Sequence, residues 1–462
     1  MCRTSAAVEA PQFCTAGKDV EPCRRGVFGY AQGMRDAAPT PTISRVLEDG
    51  TLIELVYDPI AASTALAIKR ADASTSIEAE VEVVVGERLV PYSPRNNLIA
   101  TECVLLPSDI GDFGDKGDLL EAVSAFLHRY VDLSTLFEVV AAHYVLLTWV
   151  YDAFSDLPYL RFRGDYGTGK TRALLAVGSL CYKPFFASGA STVSPIFHIQ
   201  DAFQGTLVLD EADFRFSDQT AELTKVLNNG TTRGMPVLRT MTNRHRELNP
   251  TAFRVFGPKI IAMRESFSDR ALESRFITEE TGGAVMRDDI PVHLPDTFKE
   301  EARTLRSRLL AWRFHARHVV GPDPSRLPIG LSPRVRQTSL ALLSIIDDPD
   351  LRNRLCEALA GEDARLVEDR DDTLESAMVE SIIETFAASD DPNASVRDIT
   401  SQFNTKVGAR LGQAMSNRWV GSFVRRRLRL ATHKTGGVYV IPPTERARVD
   451  ALAQRYGVAP HS

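Results

Sequence analysis

From Gly50 to Pro107 the chain tends to alternate apolar and polar positions. Thr51-Leu-Ile-Glu-Leu-Val-Tyr57, Thr64-Ala-Leu-Ala-Ile-Lys69, Ile77-Glu-Ala-Glu-Val-Glu-Val-Val-Val85 and the run Asn97 to Leu106 carry the period of two that predicts half-buried strands. Past a Gly/Asp-rich joint at 111–117 the period lengthens, predicting helices over Asp118–Tyr130 and Ser134–Phe154. The second is almost continuously apolar, as a helix buried against a sheet must be, and its His143 reads as a packed core histidine. Apolar strand-like runs then alternate with helical ones: Pro158–Phe162, Arg172–Leu180, Phe185–Phe186, Pro195–Phe203, Gly205–Asp210, Ser217–Asn229 and Arg254–Arg264. That alternation predicts an α/β core with a parallel sheet and helices on both faces.

The remaining patterns divide the chain. Residues 1–45 lack periodicity and read as a tail, 46–117 as a β-rich N-terminal domain, and 118–284 as the α/β core. Helical runs at Asp296–His318, Pro333–Asp348 and Leu351–Leu359 suggest a helical lid over 285–361, followed by a charged linker over 362–373. Over 374–445 three helical runs (Leu374–Ala388, Ser395–Val407, Ala414–Leu428) precede a hairpin turning at Gly436-Gly437. Three helices and a hairpin is the order of a winged helix. Its third helix carries Arg418, Arg425, Arg426, Arg427 and Arg429, and the hairpin carries His433 and Lys434, a basic set suited to DNA. Residues 446–462 read as a C-terminal tail.

Composition narrows this little. At 462 residues the chain has room for several domains, and 44% hydrophobic with 25% charged residues is ordinary for a globular protein. A net charge of −6 argues against coating nucleic acid wholesale, while leaving local basic patches open. No apolar run reaches membrane-span length and no signal-peptide core is present. Six scattered cysteines suggest a reducing, cytoplasmic setting, and Cys2, Cys14 and Cys23 lack the spacing of a zinc site.

The candidate chemistry centres on Gly164-Asp-Tyr-Gly-Thr-Gly-Lys-Thr171, a phosphate-loop pattern between a strand-like and a helix-like run. Gly164, Asp165, Tyr166, Gly167, Thr168 and Gly169 would wrap phosphate with backbone N–H groups, aided by the positive helix end. Lys170 would reach the β/γ-phosphates and Thr171 would ligate Mg²⁺. Forty residues on, the apolar run from Gly205 ends in Asp210-Glu211. A parallel strand delivers such carboxylates to its carboxyl edge, where Asp210 suits Mg²⁺ and Glu211 suits orienting an attacking water. The pair implies a nucleoside triphosphatase that uses Mg²⁺. Arg270 and Arg275 follow a core strand, while Arg239, Arg244, His245 and Arg246 sit around a predicted two-strand tip.

On the phosphate loop, Leu209-Asp-Glu-Ala-Asp213, the basic hairpin and Glu273-Ser-Arg-Phe276, residues 118–345 resemble AAA+ ATPases. More narrowly they resemble the superfamily 3 and MCM-like helicases of phages, plasmids and mobile elements. The resemblance implies a homo-oligomeric ring, expected to be a hexamer, with no membrane partner. It implies Arg275 as the finger acting in a neighbour's site, with Arg270 the second candidate. It also implies that Arg239, Arg244 and Arg246 grip single-stranded DNA, while Arg425, Arg426 and Lys434 meet DNA, including duplex, at the winged helix. The family commonly ends its fourth core strand with a γ-phosphate-sensing Asn; Arg264 stands here instead. Arg334 or Arg336 is the candidate lid arginine on the nucleotide. The expected activity is an ATP-driven DNA helicase or replication initiator, with an ATP-switched DNA-binding regulator as the alternative.

Overall fold

The computed structural model describes residues 39–84, 87–210, 217–242, 248–267, 269–283, 287–328, 330–371, 374–388, 391–411 and 413–458. At its centre is a five-stranded, all-parallel sheet. In chain order its strands are β1 (Tyr159–Arg163), β2 (Phe185–Ser188), β3 (Leu207–Asp210), β4 (Lys259–Met263) and β5 (Phe276–Glu280). In space they run β5-β1-β4-β3-β2. These strands bury both faces, which is why they read as continuous apolar runs rather than alternating ones.

Helix α1 (Thr135–Trp149) packs against the sheet and is buried over most of its length. Ser134 caps it by accepting from Phe137 N–H, and Ser134 itself donates to Glu279 of β5 from N–H at 2.7 Å and Oγ at 2.9 Å. His143 is buried with Nδ1 2.8 Å from Val139 O, and burial pulls its pKa down: a core histidine. Helix α2 (Lys170–Gly178) links β1 to β2, and helix α3 (Ser217–Gly230) links β3 to the hairpin that precedes β4.

Three expectations change. The N-terminal strands do not enclose a core of their own. Strand Leu52–Asp58 is buried on both sides: Leu52 and Val56 join the cluster around α1, while Ile53 and Leu55 join the cluster on the other side of the sheet. Glu54, which alternation would place toward water, is 1% exposed. It accepts from Arg313 Nε at 2.7 Å and Tyr182 OH at 2.8 Å, and lies 2.8 Å from Lys183 Nζ. Second, Asn97–Ala100 is a short helix, because the Asn96 side chain accepts from Leu98 N–H and turns the chain, burying Ile99. Third, the charged 362–373 segment is no open linker through 371: helix Pro349–Asp371 is continuous, and Asp363 accepts from Ser332 N–H at 2.8 Å.

The C-terminal unit has a separate core. Helices Leu374–Ala388, Val396–Leu411 and α4 (Asn417–Arg426) precede a hairpin, His433–Thr435 with Val438–Ile441, to which Ala394–Ser395 adds a third strand. Helix Arg446–Arg455 buries Val449 and Ala453 in the same core, so the 446–462 segment is no free tail through 455. No helix among the described residues is long and apolar enough to cross a membrane.

Removing one member of a buried ion pair strands the other. Glu54→Gln should therefore lower unfolding free energy by about 3–5 kcal/mol, seen as a reduced urea midpoint; an unchanged midpoint would show that Glu54 does not fasten the strands to the core. Lys259, fully buried, has no ion-pair partner among the described residues and donates to Val255 O at 2.9 Å and Gly257 O at 3.0 Å. Burial pulls it from 10.5 to about 7. Between those values the unfolded chain holds the proton that the folded chain has released, so this site's contribution to stability rises with pH. In Lys259→Met that rise should flatten, measured from urea midpoints at pH 7 and pH 9.

Candidate nucleotide site and nucleic-acid surfaces

The phosphate loop leaves β1 at the carboxyl edge of the sheet and enters α2 through Gly169, whose φ of +85° caps the helix in the left-handed region. Gly164 is required by crowding: a Cβ there would lie 2.5 Å from Thr281 O. Thr281 N–H donates to Arg163 O at 2.7 Å, and its hydroxyl lies 2.7 Å from that of Thr168. The end of β5 thus clamps the loop. Sequence reasoning missed Thr281; the only signal was the Thr-Gly-Gly turn after the Ser-Arg-Phe strand, where Gly282 has φ +87°.

Lys170 lies across the loop, its Nζ donating to Gly164 O at 2.7 Å and Asp165 O at 2.5 Å. The Thr171 hydroxyl donates to Asp210 Oδ2 at 2.8 Å. Two residues 39 positions apart meet because β3 is separated from β1 only by β4, and all three strands end at one edge. A hydroxyl and a carboxylate oxygen at hydrogen-bond distance are hard oxygen donors of the type Mg²⁺ takes. Arg264 follows β4 at the same edge and stands with its guanidinium 5.2 Å from the ring centroid of Tyr166, an exposed residue of the loop. Glu211 lies outside the described residues.

Arg275 lies at the opposite edge. It immediately precedes β5, and Phe276 pairs with Tyr159 at the start of β1. Five residues of strand separate that edge from the loop, about 16 Å at ~3.3 Å per residue. The half-buried Arg275 Nη1 donates to Asn228 O of α3 at 2.5 Å, and burial lowers its pKa. Glu273 fixes the approach: buried, it accepts from Arg161 Nη1 at 2.7 Å and Phe267 N–H at 2.6 Å. Arg270 opens the short helix Arg270–Glu273, capped by Asp269.

The candidate lid arginines stand at the Arg275 edge. Arg334 Nη1 donates to Ala271 O at 3.1 Å and Gln337 to Asp156 at 2.9 Å. These contacts hold the first turns of helix Pro333–Ile345 at the Arg275 edge. The exposed Arg336 between them is therefore not brought to its own chain's phosphate loop.

The hairpin before β4 pairs Val237–Thr242 with Leu248–Phe253; Arg244 and Arg246 lie outside the described residues. Arg239 is partly exposed on this hairpin. It ion-pairs with Glu222 of α3, and its guanidinium lies 5.2 Å from the Phe197 ring centroid. The other hairpin face exposes Leu238 (69%) and Leu248 (75%). In the C-terminal unit Arg425, Arg426 and Lys434 are all exposed. Arg425 lies 5.3 Å from the Tyr439 ring centroid of the hairpin, so helix and hairpin form one surface. Residues 374–462 hold twelve Lys/Arg against eight Asp/Glu, in a chain of net charge −6.

No family model matches the chain, and no curated protein matches its sequence. Among solved structures it is similar to the NrS-1 C-terminal region in its A-form apo structure, with 13% identity and a TM-score of 0.36, over 84% of this chain and 96% of that one. A second structure of that region, described as residues 305–718, gives 12% identity, a TM-score of 0.36 and the same coverage. It is also similar to a JCV helicase bound to a thiazolopyridinyl-phenoxyphenyl acetamide, with 16% identity and a TM-score of 0.24, over 57% of this chain and 65% of that one. Likenesses at this level assign neither family nor activity.

If Thr171 and Asp210 share a cation, Thr171→Val should weaken Mg²⁺-dependent binding of a fluorescent ATP analogue by about tenfold or more, a loss of ~1.4 kcal/mol or more. Its thermal midpoint should stay near that of the unaltered chain. Equal affinity with and without the hydroxyl would remove Thr171 from the site.

Proposed function

We propose that the chain is an ATPase acting on DNA as an oligomeric ring: a helicase or replication initiator whose nucleotide lies between subunits. The observation that carries the ATPase reading is the Thr171–Asp210 contact beside the phosphate loop. Lys170 leaves its loop carbonyls for the β/γ-phosphates, and the loop N–H groups receive the phosphate oxygens. Thr171 and Asp210 would hold Mg²⁺, which supplies charge neutralisation on the phosphates. Glu211 orients the attacking water, and Arg264 is close enough to the loop to report on the terminal phosphate.

The trans arrangement is supported by distance. With Arg275 on the far edge of its own sheet, its guanidinium meets a γ-phosphate only if a second copy presents that edge to the first chain's loop. Arg270, Arg334 and Arg336 belong to the same edge and would accompany it into the neighbour's site. The exposed arginines of α4 and the nearby Lys434 support DNA contact at the C-terminal unit, read as a winged helix. The ATP-switched regulator stays as a second reading because Arg239 is occupied by Glu222, which lowers the charge the hairpin offers a strand.

Lys170→Ala should abolish ATP hydrolysis, and Arg275→Ala should lower it about a thousandfold or more, the scale of a lost arginine finger. Mixed together, the two inactive variants should regain turnover, because each supplies what the other lacks. An active Arg275→Ala protein, or mixtures that stay silent while the variants co-assemble, would defeat the shared site. Strand displacement on a forked substrate with and without ATP separates motor from switch.

A further inference from the structure

A cavity of about 510 Å³ opens at the root of the hairpin, on the edge of the sheet opposite the phosphate loop. Its volume falls within the roughly 300–1,000 Å³ of small-molecule sites. Tyr151, Met235, Ala252 and Phe256 supply apolar and aromatic wall, and Arg233 and Arg254 stand at the rim. The Arg233 guanidinium lies 5.2 Å from the Phe256 ring centroid, and Tyr151 packs on the same ring at 5.8 Å.

Both arginines are already fixed. Arg233 Nη2 donates to Asp152 O at 2.6 Å and Phe154 O at 2.8 Å, and Arg254 Nε donates to Asp201 at 3.0 Å. Little side-chain freedom would be lost on meeting a ligand. One carboxylate, Asp152, also lines the cavity. Asp201 pairs with Arg254 and offsets part of its charge, whereas Asp152 is ion-paired at 2.8 Å with both Arg313 and Arg317 and so does not neutralise Arg233. Burial pushes its pKa up, but those two guanidiniums outweigh it and hold the carboxyl well below the usual range. Two aromatic rings tilted 46° to one another, with guanidiniums at the mouth, match a nucleotide: the base packs on a ring, and the flanking phosphates meet guanidinium.

We propose that this cavity takes one unstacked nucleotide of a single strand, its base between Met235 and the Phe256–Tyr151 wall and its phosphates at Arg233 and Arg254. The inference rests on the nucleic-acid reading above and adds a site that none of the loop, the hairpin tip or the C-terminal unit contains. Without it the exposed guanidinium-on-ring pair at Arg233 and Phe256 has only a packing role.

The test is anisotropy of fluorescein-labelled oligo(dT) with the full chain. Met235 is 59% exposed, so Met235→Glu sets a carboxylate at the cavity mouth, beside the proposed base and phosphates, without altering the core. It should weaken oligo(dT) binding about tenfold or more, because the carboxylate repels the strand's phosphates. Arg233→Gln should weaken it as well and flatten its salt dependence, while ATP-analogue binding is unchanged in both. With 5-iodouracil in the strand, photocrosslinks should map to Tyr151, Met235 or Phe256. Unaltered affinity in a folded Met235→Glu chain, or crosslinks confined to the C-terminal unit, would overturn the proposal while leaving the DNA reading standing. A shift in oligomeric state with unchanged oligo(dT) affinity would overturn it in favour of a protein occupant. An unaltered chain that binds ATP analogue but no oligo(dT) would overturn both.

Discussion

A parallel sheet has polarity, and that polarity constrains everything else in the molecule. All five strands point one way, so residues leaving the strands collect at one edge and residues entering them collect at the other. The phosphate loop, Asp210 and Arg264 stand at carboxyl ends of strands. Arg275 stands at an amino end. Strand length alone keeps these groups about 16 Å apart, far beyond the hydrogen-bond reach that charge stabilisation in a transition state requires. On the proposed reading, the two edges would make one hydrolytic site only where a second copy presents its Arg275 edge to the loop.

Such an arrangement needs stiff edges, and buried polar contacts supply that stiffness. At the loop edge, Thr281 locks the end of β5 to Arg163 and Thr168, so loop and sheet move together. Near the opposite edge, the Glu54 carboxylate gathers Lys183, Tyr182 and Arg313, and Arg313 continues to Asp152. Desolvating these charges is costly, and burial pulls Lys183 down to about 8 even with a carboxylate beside it. Apolar packing would hold the same segments together without that cost. What the ions add is a defined register between the N-terminal strands and helix Thr297–Ala316, because mispaired charges in a dry interior are penalised far more than mispaired methyl groups.

The sequence carried much of this, unevenly. The loop, the acid strand, α1 and the three-helix-plus-hairpin tail were legible because each rests on local rules: turn chemistry, period and length. Glu54 was not, since a lone acid in an alternating strand looks the same whether water or Arg313 faces it. Asn97–Ala100 misled because a single side chain, Asn96, converts an apolar run into a turn of helix. The position of Arg336 was hidden for another reason: which edge a helix start reaches is set by contacts such as Gln337–Asp156, 181 residues apart. Arg239 looked like a hairpin charge until Glu222, seventeen residues earlier, took it.

Helix α3 ties the hairpin to the Arg275 edge. It begins seven positions after Asp210 in the sequence, its Glu222 holds the hairpin through Arg239, and its Asn228 carbonyl receives Arg275. Its 14 residues span about 21 Å at ~1.5 Å per residue, enough to bridge the roughly 16 Å between the edges. The C-terminal carbonyls it presents are also held by Tyr159 at Leu227 and approached by Lys259 at Gly230, so this end is anchored to β1 and β4. A displacement at the Ser217 end therefore cannot be absorbed by fraying at the other. It must either tilt the helix, moving hairpin and Arg275 together, or be resisted by those anchors. If the loop takes nucleotide as proposed, its coupling to the hairpin would depend on whether α3 has two packed positions of similar energy, since a single well transmits nothing.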